Sequence, residues 1–388
     1  MGGVVSPGSV ISGSGLFTPP ETITNAELVA SQAEAARRFN QLHASDIEAN
    51  RTESRVESDV DFIQRASGIE RRYVMEKSGV LDVDRMRPRL ATRSADEPSI
   101  QCEMSIAASQ QALEEAERSG SDVDAVIVAC SNLQRPYPAV AIEVQAALEA
   151  RGWAYDLNVA CSSATFGIQA AVDAIAAGHA RCAIVVNPEI TSGHNNFELR
   201  DSHFIFGDAC TAVVVEAADA VRNKRAFEIL GTRLETVYSN NIRNDFGFLN
   251  ASEDGTREPH EVLFRQDGRR VFKEVCPLVA SHIEEHVSHL GLDISTVKRL
   301  WLHQANLAMN QLIARRVLGR DATPEEAPTI LDEWANTSSA GSVIAFHRHK
   351  RDLAAGDWGV LCSFGAGYSI GSALLRCCGG GPGSANSG

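Results

Sequence analysis

Residues 156–167 read D-L-N-V-A-C-S-S-A-T-F-G, and residues 335–340 read A-N-T-S-S-A. The first stretch leaves an apolar run, Ala154–Val159, and enters an Ala-rich segment of helical character that ends A-A-G at Gly178. The apolar run C-A-I-V-V-N follows at 182–187. The second stretch does the same, passing through a segment that ends A-A-G at Gly356 to the run G-V-L-C-S-F at 359–364. Short apolar runs alternating with helical stretches imply strands covered on both faces by helices. Two copies of turn, helix and buried strand imply an α/β fold built from a duplicated unit. The chain then divides into an N-terminal half, 1–220, and a C-terminal half, 221–378. A Gly/Ser/Pro-rich tail over 379–388 reads as disordered.

Working outward, Val10-Ile11 reads as a short buried strand ending in a glycine turn. The polar, Ala/Glu/Arg-rich stretch 25–50 fits an amphipathic surface helix. The charged stretch 71–99, with Pro88 and Pro98, reads as a long loop of the kind used as a lid or interface. Further helices are expected over 102–118 and 140–150, and further strands over 125–130, 211–216 and 300–303.

Composition narrows the function. With 388 residues and 44% hydrophobic content, the chain can bury a large core. Its net charge of −14 argues against non-specific nucleic-acid binding, which needs a basic footprint. The cysteines are scattered with no CxxC pair, and there is no HExxH, so neither a disulfide framework nor a zinc site is expected. No basic leader precedes an apolar segment, and no apolar run reaches the roughly 18 residues of a membrane span. The expectation is a soluble, cytoplasmic protein without metal or cofactor.

Three residues carry candidate chemistry. Cys161 sits between a strand and the start of a helix, where free N–H groups favour a thiolate and can hold an oxyanion. Its bland reading is a small buried hydrophobe. His303 closes the run R-L-W-L-H at a strand end, where ligands gather in α/β folds; the bland reading is a satisfied core histidine. Asn336 precedes a helix, and an N-cap explains it equally well.

Taken together with their surroundings, these residues match a family. W-L-H-Q-A-N (301–306), A-N-T-S-S-A (335–340), the cysteine segment, I-F-G-D-A (205–209) and F-G-A-G-Y-S-I-G-S-A-L (364–374) occur in one chain. The chain from Val10 to Arg376 resembles β-ketoacyl-acyl carrier protein synthase III of the thiolase superfamily. The resemblance implies a thiolase-like, layered αβαβα fold and a homodimer. It makes Cys161, His303 and Asn336 a catalytic set, with acyl-CoA and malonyl-acyl carrier protein as substrates and acyl carrier protein as partner. It also implies an oxyanion hole from the backbone of Cys161 and of the loop Gly365–Gly367, and an acyl pocket reached by Phe206 and Tyr137. In this reading Cys161 takes up an acyl group, and His303 and Asn336 stabilise the enolate left when malonyl loses CO2.

The departures are informative. The family's CoA-clamping stretch W-I-x-x-R-T-G-I reads F-I-Q-R-A-S-G-I at 62–69, which leaves Phe62, with Arg65 offset by one, and Asn306 as the CoA-binding candidates. Ala308 stands where the family carries a carrier-protein arginine; Arg269, Arg270, Lys273, Arg315 and Arg316 are the candidate replacements. Extra chain at 25–55 and 75–100, with S-N-L-Q-R-P-Y-P-A at 131–139, resembles the medium-chain-primed subgroup described as β-ketodecanoyl-acyl carrier protein synthases. Alternatives are a specialised ketosynthase or acyltransferase of secondary metabolism on the same fold, a thiolase, or a non-catalytic subunit. The last conflicts with the intact set, and a thiolase would carry a second cysteine in the glycine loop.

Overall fold

The computed structural model describes residues 8–245, 247–255 and 263–379; from residue 380 on, the tail read as disordered lies outside the described residues. Nine strands form one sheet: β1 (Ser9–Phe17), β2 (Ala125–Ala129), β3 (Trp153–Leu157), β4 (Cys182–Glu189), β5 (Ala209–Ala217), β6 (Phe227–Ser239), β7 (Arg299–Leu302), β8 (Trp358–Gly365) and β9 (Gly367–Cys377). Their order is β7-β8-β9-β6-β1-β5-β4-β2-β3. The seam between β1 and β6 is short, Ser9 to Ile11 against Ile229 to Phe227. From that seam each side repeats one pattern. β1, β5 and β4 run antiparallel with β2 parallel to β4, and β6, β9 and β8 run antiparallel with β7 parallel to β8. The duplicated unit read from the two S-S-A turns is therefore present in the topology.

Among the described residues, the helices of eight residues or more are α1 (Asn25–Leu42), α2 (Val60–Ser67), α3 (Ile100–Glu115), α4 (Val140–Ala147), α5 (Ser163–Ala176), α6 (Gly268–His289), α7 (Leu307–Leu318) and α8 (Ala340–Arg348). The all-apolar strands divide their side chains between two cores, as a period of two requires. On β2, Ala125, Ile127 and Ala129 join a central cluster with Ile168 of α5 and Phe346 of α8. Val126 and Val128, between them, join an outer cluster with Ala108 of α3 and Val144 of α4. On β8, Leu361 faces inward, while Val360, Cys362 and Phe364 pack with α6 and α7. The result is five layers, αβαβα, with α5 and α8 sandwiched in the middle. Among the described residues no helix is long and apolar enough to cross a membrane.

Three readings are corrected. β1 does not end in a glycine turn but runs on through Gly13 and Gly15. A Cβ at either would stand 2.0 Å from a carbonyl of α3, that of Ala112 or Ala108, so the glycines serve close packing of helix on strand. The stretch 71–99 is not all loop: Arg71–Val74 pairs antiparallel with Glu21–Thr24, and Ser78–Leu81 is a short helix. β6 was not anticipated, because Glu228, Arg233 and Glu235 interrupt its apolar alternation on a partly exposed strand. The added N-terminal segments pack with the stretch between them, Leu28, Val80 and Met86 joining Ile63, Ile69 and Val74 against Phe204 and Phe206. They stand beside the motif I-F-G-D-A.

The central layer is welded by rings: Phe346 lies edge-on to Trp301 at 5.0 Å and to Phe227 at 5.2 Å, fully buried. Phe346→Ala should cost about 3–5 kcal/mol by lost transfer energy and cavity formation. Urea unfolding measures this, and a midpoint indistinguishable from that of the unmodified protein would refute the assignment.

Candidate active site

The two S-S-A turns meet at one end of a cavity of about 840 Å³ lined by Cys161, His303, Asn336, Phe206 and Gly365. Each turn is held by its own polar residues. Asn158 Oδ1 accepts the Ala160 N–H at 2.9 Å, and Ser163 Oγ accepts that of Val159 at 2.8 Å. Asn336 Oδ1 accepts the Ser338 N–H at 2.9 Å, which leaves the amide Nδ2 as the donor end. Ala160, Ala335 and Ser338 all have left-handed φ values, 47°, 56° and 50°, so the backbone is strained on both sides of the meeting point. Ser338 Oγ reaches Cys161 Sγ at 3.4 Å across it.

The motif I-F-G-D-A has a structural explanation. Ile205 O accepts the Asn336 N–H at 3.0 Å, and Asn336 O accepts the Gly207 N–H at 3.1 Å, so this stretch clamps the Asn336 turn from one side. Asp208 accepts from Ser192 and Met75, joining the end of the Arg71–Val74 strand to the core. On the other side Gly365 ends β8. A Cβ there would stand 2.7 Å from Cys161 Cβ and 3.2 Å from its Sγ, so glycine is required by close approach, at a backbone angle any residue could adopt.

Burial governs the titration of the two ionisable groups beside Asn336. Burial holds His303 down to about 4, so the imidazole is uncharged at neutral pH. The ring lies edge-on to Phe364 at 5.1 Å, and its Nδ1 has no hydrogen-bond partner among the described residues. Burial also pushes the Cys161 thiol up to about 11, against the lowering effect of Ser338. The expectation of a thiolate favoured by the helix N-terminus is thus corrected: desolvation holds Cys161 as the thiol at neutral pH.

Not every predicted residue arrives. Phe206 lines the cavity, edge-on to Phe264 at 4.7 Å. Tyr137 does not; it is 74% exposed on the surface of the single chain. Gly367 pairs with Ser239 and does not line the cavity. Phe62 and Asn306 do line it. Asn306 also caps α7 and donates its Nδ2 to Ala66 O, so its side chain has a structural role as well. Arg65 is exposed and bonds Asp61 O instead. Arg269 lines the cavity, whereas Arg270 pairs with Asp267 and Arg315 with Asp321; Lys273 and Arg316 are exposed nearby on α6 and α7. Of the cysteines, Cys161 alone lines the cavity among the described residues. A thiolase-type second cysteine is therefore missing from it.

Sequence reading missed Arg200 and Phe264. The Arg200 guanidinium lies 3.5 Å from the centre of the Phe62 ring, with Asp59 beside it. A flat cationic group over an aromatic face can receive a third planar ring. No spacing from Phe62 could have indicated it, since the pair is joined only by folding.

Comparison with known proteins follows this geometry. Residues 155–237 match the family described as 3-oxoacyl-[acyl-carrier-protein] synthase III, and residues 287–377 match its C-terminal domain. The chain is 60% identical to the β-ketodecanoyl-[acyl-carrier-protein] synthase of Pseudomonas aeruginosa, over 88% of this chain and 97% of that one. It is 30% identical to the β-ketoacyl-[acyl-carrier-protein] synthase III of Acidiphilium cryptum, over 70% of this chain and 83% of the other. The crystal structure of 3-oxoacyl-[acyl-carrier-protein] synthase III from Aquifex aeolicus superposes with a TM-score of 0.74 at 24% identity, over 95% of this chain and all of that one. At that identity the last match speaks for the fold.

The raised Cys161 thiol has a measurable consequence. Since the thiolate is the reactive form, iodoacetamide labelling of Cys161 should accelerate by about tenfold per pH unit between pH 7 and 9, without levelling off. Peptide mass spectrometry separates this site from exposed Cys378. A plateau near neutral pH would mean that the helix N-terminus, not burial, governs the sulfur.

Proposed function

This chain belongs to the 3-oxoacyl-[acyl-carrier-protein] synthase III family, and from that premise we propose that it condenses an acyl-CoA primer with malonyl-acyl carrier protein in fatty acid biosynthesis. The observation that carries the proposal is the convergence of Cys161, His303 and Asn336 at one end of the cavity, beside Gly365. Cys161 Sγ attacks the primer thioester carbonyl; the bond to CoA sulfur breaks, and the Cys161 proton leaves with the CoA thiol. Malonyl then loses its carboxylate as CO2, and the released electron pair forms an enolate. Asn336 Nδ2 and an N–H of neutral His303 donate to the enolate oxygen. The enolate carbon bonds to the acyl carbon and the acyl–Cys161 bond breaks, its electron pair returning to Cys161 Sγ, which takes a proton from solvent as the β-ketoacyl product is freed. Gly365 and the Cys161 backbone are assigned to the acyl oxyanion. No step calls for a metal or a resident cofactor.

The primer is proposed to be a medium chain. The Pseudomonas relative is named for a β-ketodecanoyl product, and ten carbons are eight plus the two from malonyl. A cavity walled by Phe206, Phe264, Val275 and Met309 suits an apolar chain. Phe62 and Arg200 are assigned to the CoA base. The carrier protein is assigned to the rim formed by Arg269, Arg270, Lys273, Arg315 and Arg316. A homodimer, working in the cytoplasm, is proposed on Tyr137, whose exposed ring suits a partner's site; sedimentation of an active monomer at micromolar concentration would refute it.

His303→Ala and Asn336→Ala should each lower malonyl decarboxylation by about 10²–10³, the usual effect of removing one oxyanion donor. Acyl transfer to Cys161, read by intact mass, should suffer less, and Cys161→Ser should abolish it. Undiminished decarboxylation in either variant would overturn these roles.

Primer length gives a second test. Octanoyl carries six more methylenes than acetyl, and at about 0.8 kcal/mol for each one buried the gap approaches 5 kcal/mol. The kcat/KM for octanoyl-CoA should therefore exceed that for butyryl-CoA, and butyryl that for acetyl. A preference for acetyl-CoA would make this an ordinary initiating synthase.

A further inference from the structure

Glu189 ends β4, fully buried. Among the described residues no cation is a hydrogen-bond partner of its carboxylate. Its carboxylate accepts four hydrogen bonds from two serines: Oε1 takes the Ser131 N–H at 3.0 Å, the Ser339 N–H at 3.2 Å and the Ser339 hydroxyl, and Oε2 takes the Ser131 hydroxyl at 2.6 Å. A buried carboxylate without a counter-charge is expensive, and an apolar residue would stabilise a simple core better.

What the two serines carry explains the expense. Ser339 follows the Asn336–Ser338 turn, whose Ser338 hydroxyl touches Cys161. Ser131 opens the segment 131–139, and its carbonyl accepts from Asn158 Nδ2 at 2.9 Å. Asn158 Oδ1 in turn holds Ala160, the strained residue before Cys161. Ser131 Oγ also accepts from Asn132, whose Nδ2 lies 2.6 Å from His194 Nδ1, and the His194 ring is 5.3 Å from that of Phe206. One carboxylate therefore ties the asparagine turn, the cysteine turn and the Tyr137 segment together.

We propose that Glu189 is a positioning residue that holds the Asn336 turn against the Cys161 turn, so that the nucleophile and the malonyl donor stay in register. The inference rests on the assignment of Cys161 and Asn336 to the two half-reactions. A negative charge here has a second effect: it opposes ionisation of Cys161, and of the buried thiols of Cys130 and Cys210. His303, which lines the same cavity, is neutral and does not offset it; Arg269, Asp201 and Asp267 are the charged residues among the lining.

Glu189→Gln keeps the size but replaces one acceptor with an N–H group, which faces serine donors already in need of an acceptor. Three readouts are compared with the unmodified enzyme: decarboxylation of malonyl-acyl carrier protein, acylation of Cys161 by octanoyl-CoA, and the pH profile of Cys161 alkylation. Decarboxylation should fall by about 10²-fold and acylation by less than about tenfold, as for a misplaced donor, with the alkylation profile moved to lower pH. Ser339→Ala, which leaves the charge in place, should lower decarboxylation without moving that profile. Two half-reactions that are unchanged, or that fall by one common factor with an unmoved profile, overturn the inference. If Glu189→Gln does not fold, Ser339→Ala decides, and undiminished decarboxylation overturns it. An unmodified enzyme inactive in both half-reactions would instead refute the proposed function.

Discussion

The constraint on which the site depends is the burial of two helices, α5 and α8, between the two halves of the sheet. Sandwiched helices must be apolar almost all round, which is why 163–176 and 340–348 are dominated by alanine, valine, isoleucine and phenylalanine. Because each enters from an equivalent turn in a duplicated unit, their N-terminal ends converge at the middle of the molecule. Polar groups stranded there must find partners within the protein. The short side chains of the two S-S-A turns supply them, Ser163 for Val159 and Asn336 for Ser338. Packing thus places the chemistry, and the turns are shaped by what the buried backbone requires.

That placement is costly, and the cost is concentrated at the site. Ala160, Ala335 and Ser338 adopt left-handed backbone, at roughly 1–2 kcal/mol each for a residue with a Cβ. Glu189 adds a buried charge and His303 a buried ring nitrogen without a partner. Such local expense persists only where the surroundings over-determine it. Here the surroundings are the clamps from Ile205 and Gly207 on one side and from Gly365 on the other.

How much of this could be read in the sequence follows from the range of each interaction. The duplicated turn–helix–strand pattern is local, so the central layers and the positions of Cys161, His303 and Asn336 were legible from residues close together in the chain. β6 was not, because it is half-exposed and its alternation is broken by charges. Gly13 and Gly15 read as a turn because the helix that needs their missing side chains lies about a hundred residues away. Arg200 and Glu189 escaped for the same reason: one acts through Phe62, the other through Ser131 and Ser339, and each link is closed only by folding. Arg65, by contrast, was drawn in by motif alignment, and the structure leaves it in solvent.

The uncharged state of Cys161 and His303 bears on how the proposed reaction is driven. Cys161 is a thiol, His303 is uncharged, and Phe206, Phe364, Gly365 and Asn336 bring no formal charge. A cation in this position would bind the malonyl carboxylate before the reaction as well as the enolate during it, and uniform stabilisation gains no rate. Oriented dipoles discriminate better. Asn336 and His303 aimed at the thioester oxygen act most strongly once negative charge has moved there, while the apolar walls disfavour the carboxylate that must leave as CO2. Burial pushes the Glu189 carboxyl up, and the four hydrogen bonds from Ser131 and Ser339 oppose that push while tying the two turns rigidly together.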